Sequence, residues 1–225
     1  MTRWTAPALC PELELPALPE GLDLDGFRTA NGAAIGADVP YWVVAWPGGQ
    51  ALARFLLDHP GTVVGRCVVD LGCGAGIVAA AAMRAGAARA VAVDSDPNAL
   101  IAAAETARRN GVAITTHRAD IERFIPEPGA IICAGDLWYE RQIARRATSA
   151  LRRLAEGGHQ VLCGDPGRPD RPRQRAVERA HYSVPVSETF ERHSPVECRV
   201  FELEALNIPP AHSYHASHAG ARGGQ

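Results

Sequence analysis

The sequence contains no lysine, because all 23 of its basic residues are arginine. Acidic residues number 25 and the formal net charge is -2, so we expect no positive field that would attract nucleic acid. No apolar run approaches the roughly 20 residues that span a bilayer, and the first residues show no charged-then-apolar signal region. We therefore expect a cytoplasmic protein without nucleic-acid or membrane partners.

The six cysteines form no CxxC pair and show no zinc-ligand spacing. We expect reduced thiols and no metal site. Four of the cysteines lie in apolar runs, where cysteine acts as a small core residue: Cys67, Cys73, Cys133 and Cys163.

Composition divides the chain into three parts. Residues 1–40 are proline-rich and weakly periodic, which indicates an N-terminal extension or lid, whereas 41–206 are expected to form one domain. The tail, 207–225, is low in complexity and we expect it to be disordered. A monomer is expected, because no long apolar edge or coiled-coil pattern is present. Three histidines recur in the tail, but no cysteine or carboxylate lies nearby to complete a metal site: His212, His215 and His218.

Strand-like and helix-like stretches alternate through the predicted domain. The segment 49–60, "GQALARFLLDHP", has the apolar spacing of an amphipathic helix. Five apolar strands are predicted at 67–72, 90–96, 113–120, 130–136 and 159–165. Helices are predicted at 77–86, 97–110, 141–155 and 174–181. Two further strand-like runs, 183–190 and 196–203, have no helix between them.

This alternation predicts an α/β fold. Five βα units with continuous apolar strands imply a parallel sheet that is covered on both faces. The last two runs are expected to form a hairpin that places an antiparallel strand in the sheet. Ligands of such sheets bind beyond the carboxyl ends of the strands, and five acids lie at or near those ends: Asp70, Asp94, Asp120, Asp136 and Asp165.

The most specific motif is "VVDLGCGAG" at 68–76, in which a strand leads into a GxGxG turn. Glycines there let a ligand approach the backbone. A dinucleotide fingerprint would have its third glycine at Ile77, so the match to that motif is incomplete. The three glycines of the turn are Gly72, Gly74 and Gly76.

Three acids around this turn favour a cationic nucleoside as the ligand. Asp70 would repel a pyrophosphate but attract a cation, and Asp94 suits the two hydroxyls of a ribose. Asp120 is expected within reach of an adenine amino group. Together they fit S-adenosylmethionine, which carries a sulfonium and an ammonium, better than NAD.

The pattern resembles the class I S-adenosylmethionine-dependent methyltransferases over roughly residues 40–205. The resemblance implies a Rossmann-like, seven-stranded, mostly parallel sheet with helices on both faces and one antiparallel strand. It also implies S-adenosyl-L-methionine as the cofactor, but it does not identify the methyl acceptor.

The stretch "GDLWYE" at 135–140 is the main indication of the acceptor. Enzymes that methylate planar amines often carry an acid or amide followed by two prolines here, whereas Asp136 has no following proline. A carboxylate suits an aliphatic amine, since it can hold the ammonium and orient the neutral amine. Trp138 and Tyr139 would then wall a channel and attract the charged end. Alternatively, both aromatic residues belong to the core and Asp136 is a turn residue.

Three segments, 40–60, 135–140 and 164–169, resemble the electron transfer flavoprotein β-subunit lysine methyltransferases. That family shares an acid-x-x-aromatic motif, which Asp136 and Tyr139 match as catalytic candidates. The resemblance implies that Trp46 and Gly135 lie beside the cofactor and that the flavoprotein β-subunit is the protein substrate. The arginines around Arg168 would belong to a loop that docks this substrate.

Three alternatives remain open at this stage. A methyltransferase acting on a ribosomal protein is disfavoured by "GDLWYE" in place of an asparagine-containing motif. A small-molecule amine methyltransferase would share the same cofactor turn. A non-enzymatic module that binds S-adenosylmethionine is disfavoured by the intact Asp136.

Overall fold

The computed structural model describes residues 2–30, 40–186 and 194–206. The chain begins with a small antiparallel hairpin of β1 (Arg3–Thr5) and β2 (Leu15–Ala17), followed by α1 (Leu24–Ala30). The tail with its three histidines lies outside the described residues. Within the described ranges, no helix combines the length and apolar character needed to cross a membrane.

A seven-stranded sheet forms the centre of the domain. Its strands lie in the order β5-β4-β3-β6-β7-β9-β8. Six strands run in one direction and β9 runs against them between β7 and β8, which confirms the predicted mostly parallel sheet with one antiparallel strand. The strands are β3 (Cys67–Leu71), β4 (Arg89–Asp94), β5 (Thr115–Arg118), β6 (Ile131–Gly135), β7 (Gln160–Asp165), β8 (Ala176–Val184) and β9 (Val196–Leu203).

Helices cover both faces of the sheet, because side chains alternate along each buried strand. On one face, Val68 and Ile131 pack in a core with residues of α2, α3 and α4. On the other, Val69 and Ile132 pack with residues of α5. These helices are α2 (Pro47–Asp58), α3 (Ile77–Arg84), α4 (Pro97–Arg109) and α5 (Arg141–Glu156).

The helix predicted at 174–181 is wrong, because residues 176–181 lie in β8. Their composition favours a helix, but pairing with β9 decides the structure: Arg179 contacts Glu202 at 2.8 Å and Glu178 contacts Arg199 at 3.1 Å. Of the five predicted strands, only β3, β4 and β6 are followed by a helix in the described residues, so two of the five predicted βα units are absent there. The strand predicted at 183–190 begins earlier, at Ala176, and residues 187–190 lie outside the described ranges.

The N-terminal segment packs into the domain rather than beside it. Cys10, Leu13 and Leu15 are buried in the core that also contains α2. The Glu14 backbone exchanges two hydrogen bonds with the Asn110 side chain, at 2.9 and 2.8 Å. A lid function for residues 1–40 stays a prediction.

Candidate active site

The carboxyl ends of β3, β4, β6 and β7 form one edge of the sheet, and the candidate site lies there. β3 has β4 on one side and β6 on the other, so the strand order reverses at β3. Ligands of open α/β sheets bind at such a reversal. Leu137, just past β6, packs over Gly72, just past β3, so closely that an added Cβ on Gly72 would lie 2.7 Å from Cδ2 of Leu137.

The glycine turn after β3 requires glycine for its backbone conformation. Gly72, Gly74 and Gly76 have φ values of 73°, 51° and 76°, which side chains rarely adopt. Gly76 also packs against α4, because an added Cβ would lie 2.9 Å from Cβ of Ala103. Trp42 lies over the turn, its Cα 3.7 Å from where a Cβ on Gly74 would sit.

Asp70 is buried beneath this turn and does not face an open cleft. Its Oδ2 accepts a hydrogen bond of 2.9 Å from the Ala79 N–H in α3. Burial, with a contribution from nearby Asp94, raises the pKa of Asp70 to about 8. Asp70 therefore fastens the turn to α3, and the predicted direct attraction of a cationic ligand does not match this position.

Asp94, at the end of β4, joins the glycine turn from the other side. Its two carboxylate oxygens accept hydrogen bonds of 3.0 Å from the Gly74 and Asp96 N–H groups. Burial raises its pKa, and the residue is only half-buried. A carboxylate has about four lone-pair positions, so capacity remains for the two hydroxyls of a ribose.

Asp120 lies two residues past β5 and is already held within the protein. Its Oδ1 accepts from the Glu122 N–H at 2.9 Å, and its Oδ2 pairs with Arg146 of α5 at 2.6 Å. The Glu122 N–H and Arg146 together hold the pKa of Asp120 below its usual range. Contact with an adenine stays a prediction.

Asp136 follows β6 and contacts the N-terminus of α2. Its φ of 55° is unusual for a residue other than glycine. Its Oδ2 accepts a hydrogen bond of 2.7 Å from the Gly49 N–H, whereas its Oδ1 is buried without a partner. Burial raises the pKa of Asp136 to about 7, and the charge of Asp165 adds to this rise.

Four glycines let the N-terminus of α2 approach these strand ends. Gly48 contacts Gly164 of β7 backbone to backbone, and an added Cβ on Gly48 would lie 2.8 Å from both Asp136 carboxylate oxygens. An added Cβ on Gly135 would lie 2.9 Å from the Cα and the nitrogen of Gly49. This packing explains the glycine at position 135, and its predicted contact with the cofactor stays a prediction.

Asp165, at the end of β7, belongs to the same arrangement although the sequence assigned it no separate role. Its Oδ1 accepts hydrogen bonds of 2.7 Å from the N–H groups of Gly167 and Arg168. Its Oδ2 is buried without a partner, and burial raises its pKa. The sequence contains a hint of this arrangement, because a Gly-Asp pair stands at the carboxyl end of both β6 and β7.

Three aromatic rings cluster near these strand ends. The Tyr139 ring, 47% exposed, lies 5.4 Å from that of Tyr41, which lies 6.1 Å from that of Trp46. The Trp46 indole N–H donates to the Tyr41 carbonyl at 2.8 Å. Burial, with contributions from Tyr41, Glu140 and Asp94, raises the pKa of Tyr139 to about 12. Trp46 and Tyr139 therefore share one surface, and the sequence reasoning missed Tyr41.

Trp138 faces away from this surface, so its predicted role as a wall of the acceptor channel is wrong. Its side chain is 1% exposed and lies in the core beneath α5. The indole N–H donates to the Thr148 hydroxyl at 2.9 Å, and its ring lies 5.7 Å from that of Phe201. Trp138 therefore anchors the segment that carries Tyr139.

Arg168 lies beside the two acids rather than on an outer surface. It is half-buried, and its charge lowers the pKa of both Asp136 and Asp165, against the larger effect of burial. Arg171 is half-buried as well, 5.7 Å above the Phe201 ring. The exposed arginines of this loop are Arg173 and Arg175. The proposed contact of Arg168 with a protein substrate stays a prediction.

The donor set around the turn fits S-adenosylmethionine. The turn presents backbone without side chains, and Asp94 retains capacity to accept ribose hydroxyls. The Asp136 carboxylate and the aromatic cluster of Tyr41, Trp46 and Tyr139 suit a site that handles positive charge. Among the described residues, no three His, Cys, Asp or Glu side chains are grouped to hold a metal ion.

Residues 68–158 match the family described as a methyltransferase domain. The electron transfer flavoprotein beta subunit lysine methyltransferase of Danio rerio is 37% identical over 182 residues, covering 77% of this chain and 68% of that protein. The Xenopus laevis protein of the same name is 38% identical over 173 residues, covering 73% and 70%.

Among solved structures, the RNA methyltransferase from Salinibacter ruber in complex with S-adenosyl-L-homocysteine is similar in fold. It has a TM-score of 0.51 and 17% identity, over 74% of this chain and 97% of that one. The methyltransferase domain and the flavoprotein lysine methyltransferases identify S-adenosylmethionine as the methyl donor. The chain therefore belongs to the electron transfer flavoprotein beta subunit lysine methyltransferase family, and it is an S-adenosylmethionine-dependent methyltransferase.

Proposed function

We propose that this protein methylates lysine side chains of the electron transfer flavoprotein β-subunit. The observation that carries the proposal is the carboxylate of Asp136, one oxygen of which is fixed by α2 while the other is buried without a partner beside the cofactor turn. Such a group suits an ammonium that must lose a proton. The relatives named for this activity support the choice of protein substrate.

The residues divide the work of the reaction. When bound, S-adenosylmethionine supplies an electrophilic methyl group on a sulfonium. The glycine turn and Asp94 would hold it, with Trp46 alongside. Asp136 would orient the acceptor amine and remove its proton, because a group with a pKa of about 7 can accept a proton at neutral pH. The Tyr139 ring would lie against the acceptor's alkyl stem. Its phenol stays protonated at neutral pH, because burial raises its pKa to about 12.

The Arg168 loop is the proposed docking element for the substrate protein. Replacing Arg168 and Arg171 by alanine is expected to raise the KM for the flavoprotein. Because Arg168 lies beside the acids, the double variant Arg173→Ala/Arg175→Ala is needed to separate docking from chemistry. A rise in KM with kcat unchanged in this second variant supports docking by the loop, and unchanged kinetics in both variants rejects it.

The test of the function uses purified electron transfer flavoprotein and labelled S-adenosylmethionine. We expect label on lysine residues of the β-subunit, located by mass spectrometry of its peptides. Asp136→Asn should lower the initial rate by roughly a hundredfold or more. Glu156→Gln, which changes an exposed carboxylate at the C-terminal end of α5, is the control and should keep the native rate.

The alternatives give different results in the same assay with a cell lysate as acceptor. Label on a ribosomal protein or in the small-molecule fraction, with none on the β-subunit, contradicts the proposed substrate. Bound cofactor without any label favours a binding module.

Compartment and assembly belong to the same proposal. All six cysteines are free, five of them buried, which fits a compartment with reduced thiols such as the cytoplasm. We propose a monomer that contacts the flavoprotein and no nucleic acid. The exposed large apolar side chains include Val64 before β3, Ile101 in α4 and Ile125 in the loop after β5, and their separation along the chain supports a monomer.

A further inference from the structure

Two buried carboxylates lie side by side at the ends of β6 and β7. Gly135 pairs with Gly164 in parallel register, and the Asp136 N–H donates to the Gly164 carbonyl at 3.0 Å. Asp136 and Asp165 are the residues that directly follow this glycine pair on the two strands. Asp165 is fully buried, whereas Asp136 is half-buried. Asp136 is therefore the more accessible of the two acids to an acceptor.

Both carboxylates are held in the same way. Asp136 binds the Gly49 N–H through Oδ2, and Asp165 binds two backbone N–H groups through Oδ1. The other oxygen of each is buried and has no partner. A buried acceptor without a donor costs roughly 1–3 kcal/mol. One proton shared between these two oxygens would satisfy both, because a protonated carboxyl donates and a carboxylate accepts.

We propose that Asp165 is a positioning residue for methyl transfer, which shares with Asp136 the proton that Asp136 takes from the acceptor ammonium. This inference rests on the proposed function. It assigns the partner of the base, Asp165, and the place where the proton is held, between Oδ1 of Asp136 and Oδ2 of Asp165.

The step balances in protons and electrons. The acceptor ammonium, R–NH3+, gives one proton to the Asp136 carboxylate and becomes a neutral amine, and the acid pair becomes singly protonated. The amine lone pair then forms the N–C bond to the methyl group. The C–S bond breaks at the same time, and its electron pair returns to sulfur, which leaves a thioether and a methylated ammonium. The acid pair releases its proton to solvent before the next transfer.

Groups on every element around the pair act on its proton affinity. The N–H groups of Gly48 and Gly49 at the start of α2 lower the pKa of Asp136, as does Arg168. Arg168 and Arg171 lower the pKa of Asp165, together with two backbone N–H groups. Burial acts in the opposite direction on both acids, and the charge of Asp165 also raises the pKa of Asp136.

Asp165→Asn tests the sharing of the proton. The amide oxygen can still accept from the Gly167 and Arg168 N–H groups, so the turn after β7 is retained. The amide NH2 donates to Asp136 and stabilises its ionised form. The acidic limb of the kcat–pH profile should therefore move to lower pH by about one unit. On the plateau above this limb, kcat should fall by up to about tenfold, because Asp136 becomes a weaker base.

Two comparisons separate this role from a structural one. The KM for S-adenosylmethionine should stay at the native value, and Glu156→Gln, which changes an exposed acid at the C-terminal end of α5, should leave the pH profile unmoved. A variant Asp165→Asn that loses activity without any shift of the acidic limb overturns the proposal.

A measurement on the native protein does not depend on the acceptor or on the folding of a variant. The side-chain carboxyl carbons of Asp136 and Asp165 are followed by NMR against pH with S-adenosylhomocysteine bound. A pair that shares a proton should show two titration steps in each resonance. A single independent step in each resonance overturns the proposal even if the flavoprotein is methylated. Coupled titration without flavoprotein methylation leaves the acid pair standing and rejects the proposed substrate.

Discussion

Gly48 packs closely against Asp136, the acid that is proposed to act on the acceptor amine. An added Cβ would lie 2.8 Å from both oxygens of Asp136 and closer still to the carbonyl of Gly164. In most helices alanine is favoured over glycine by about 1 kcal/mol, but the clash should dominate here. We expect Gly48→Ala to lower the free energy of unfolding by about 2 kcal/mol, measured by urea denaturation.

A matched replacement is available at Gly61, where an added Cβ meets nothing within 4 Å. Gly61→Ala should change the free energy of unfolding by less than about 0.5 kcal/mol. If the two replacements changed the free energy of unfolding equally, close contact with Asp136 and Gly164 would not be what disfavours a side chain at position 48.

The raised pKa of Asp70 leads to a second prediction, which concerns how the stability of the protein depends on pH. Its folded-state pKa, about 8, lies above its usual value because burial disfavours the charge. The folded protein therefore binds a proton more tightly than the unfolded chain, so this contribution to stability is lost as the pH rises towards 8. Asn at this position keeps an acceptor for the Ala79 N–H but does not ionise.

We therefore expect Asp70→Asn to flatten the pH dependence of stability. Between about pH 5 and pH 8, the native protein should lose at least about 1 kcal/mol more of its free energy of unfolding than the variant. Urea denaturation without cofactor measures this. Asp170→Asn should retain the native pH dependence, and a variant with the native slope would contradict the assignment to Asp70.

These side chains also show how far the sequence predicts the site. The glycine turn and the acids at strand ends were predictable, because strand direction alone brings them to one edge. The directions of Trp138 and Tyr139 were not, since one ring enters the core under α5 and its neighbour joins Tyr41. The unpartnered oxygen of Asp165 also depends on tertiary packing, which no local pattern records.

The segment between β6 and α5 gives a prediction that separates packing from substrate contact. Trp138 is buried and its N–H bonds to Thr148. Trp138→Phe should remove this hydrogen bond and leave unfilled space, which lowers the free energy of unfolding by about 1–3 kcal/mol. Because the side chain faces the core, the KM for the acceptor protein should stay at the native value.

Tyr139→Phe is the companion variant, because it changes the neighbouring ring that faces the other way. It should leave stability within about 0.5 kcal/mol of the native value, since the side chain is 47% exposed. If Trp138→Phe instead raised the KM for the acceptor protein and kept the native stability, Trp138 and not Tyr139 would be the residue that contacts the acceptor.

Elements with long apolar runs were predictable, and β8 was not. Each predicted strand from β3 to β7 has buried residues whose apolar character is visible in the sequence, except β5, whose residues are exposed. β8 carries Glu178 and Arg179 next to each other, and its pairing with β9 through these residues outweighs their helix preference. An edge strand supported by cross-strand ion pairs carries little local signal.

The cofactor region joins parts of the chain that are far apart in sequence. The turn after β3, Asp94 at the end of β4 and the 3-10 turn Tyr41–Val43 all meet there. A ligand bound across these parts binds the folded state only, so it should stabilise the whole domain. S-adenosylhomocysteine at 100 times its Kd should add about 2.7 kcal/mol.

For a chain of this length that gain corresponds to a rise in Tm of about 5–10 °C, measured by calorimetry. Asp94→Ala should abolish most of the rise, because it removes the acceptor for the ribose hydroxyls and frees the Gly74 N–H. Asp170→Ala, which changes an exposed acid outside this region, should keep it. A native protein whose Tm does not respond to S-adenosylhomocysteine would contradict the placement of the cofactor at this edge. A full response in Asp94→Ala would instead reject Asp94 as the group that holds the ribose.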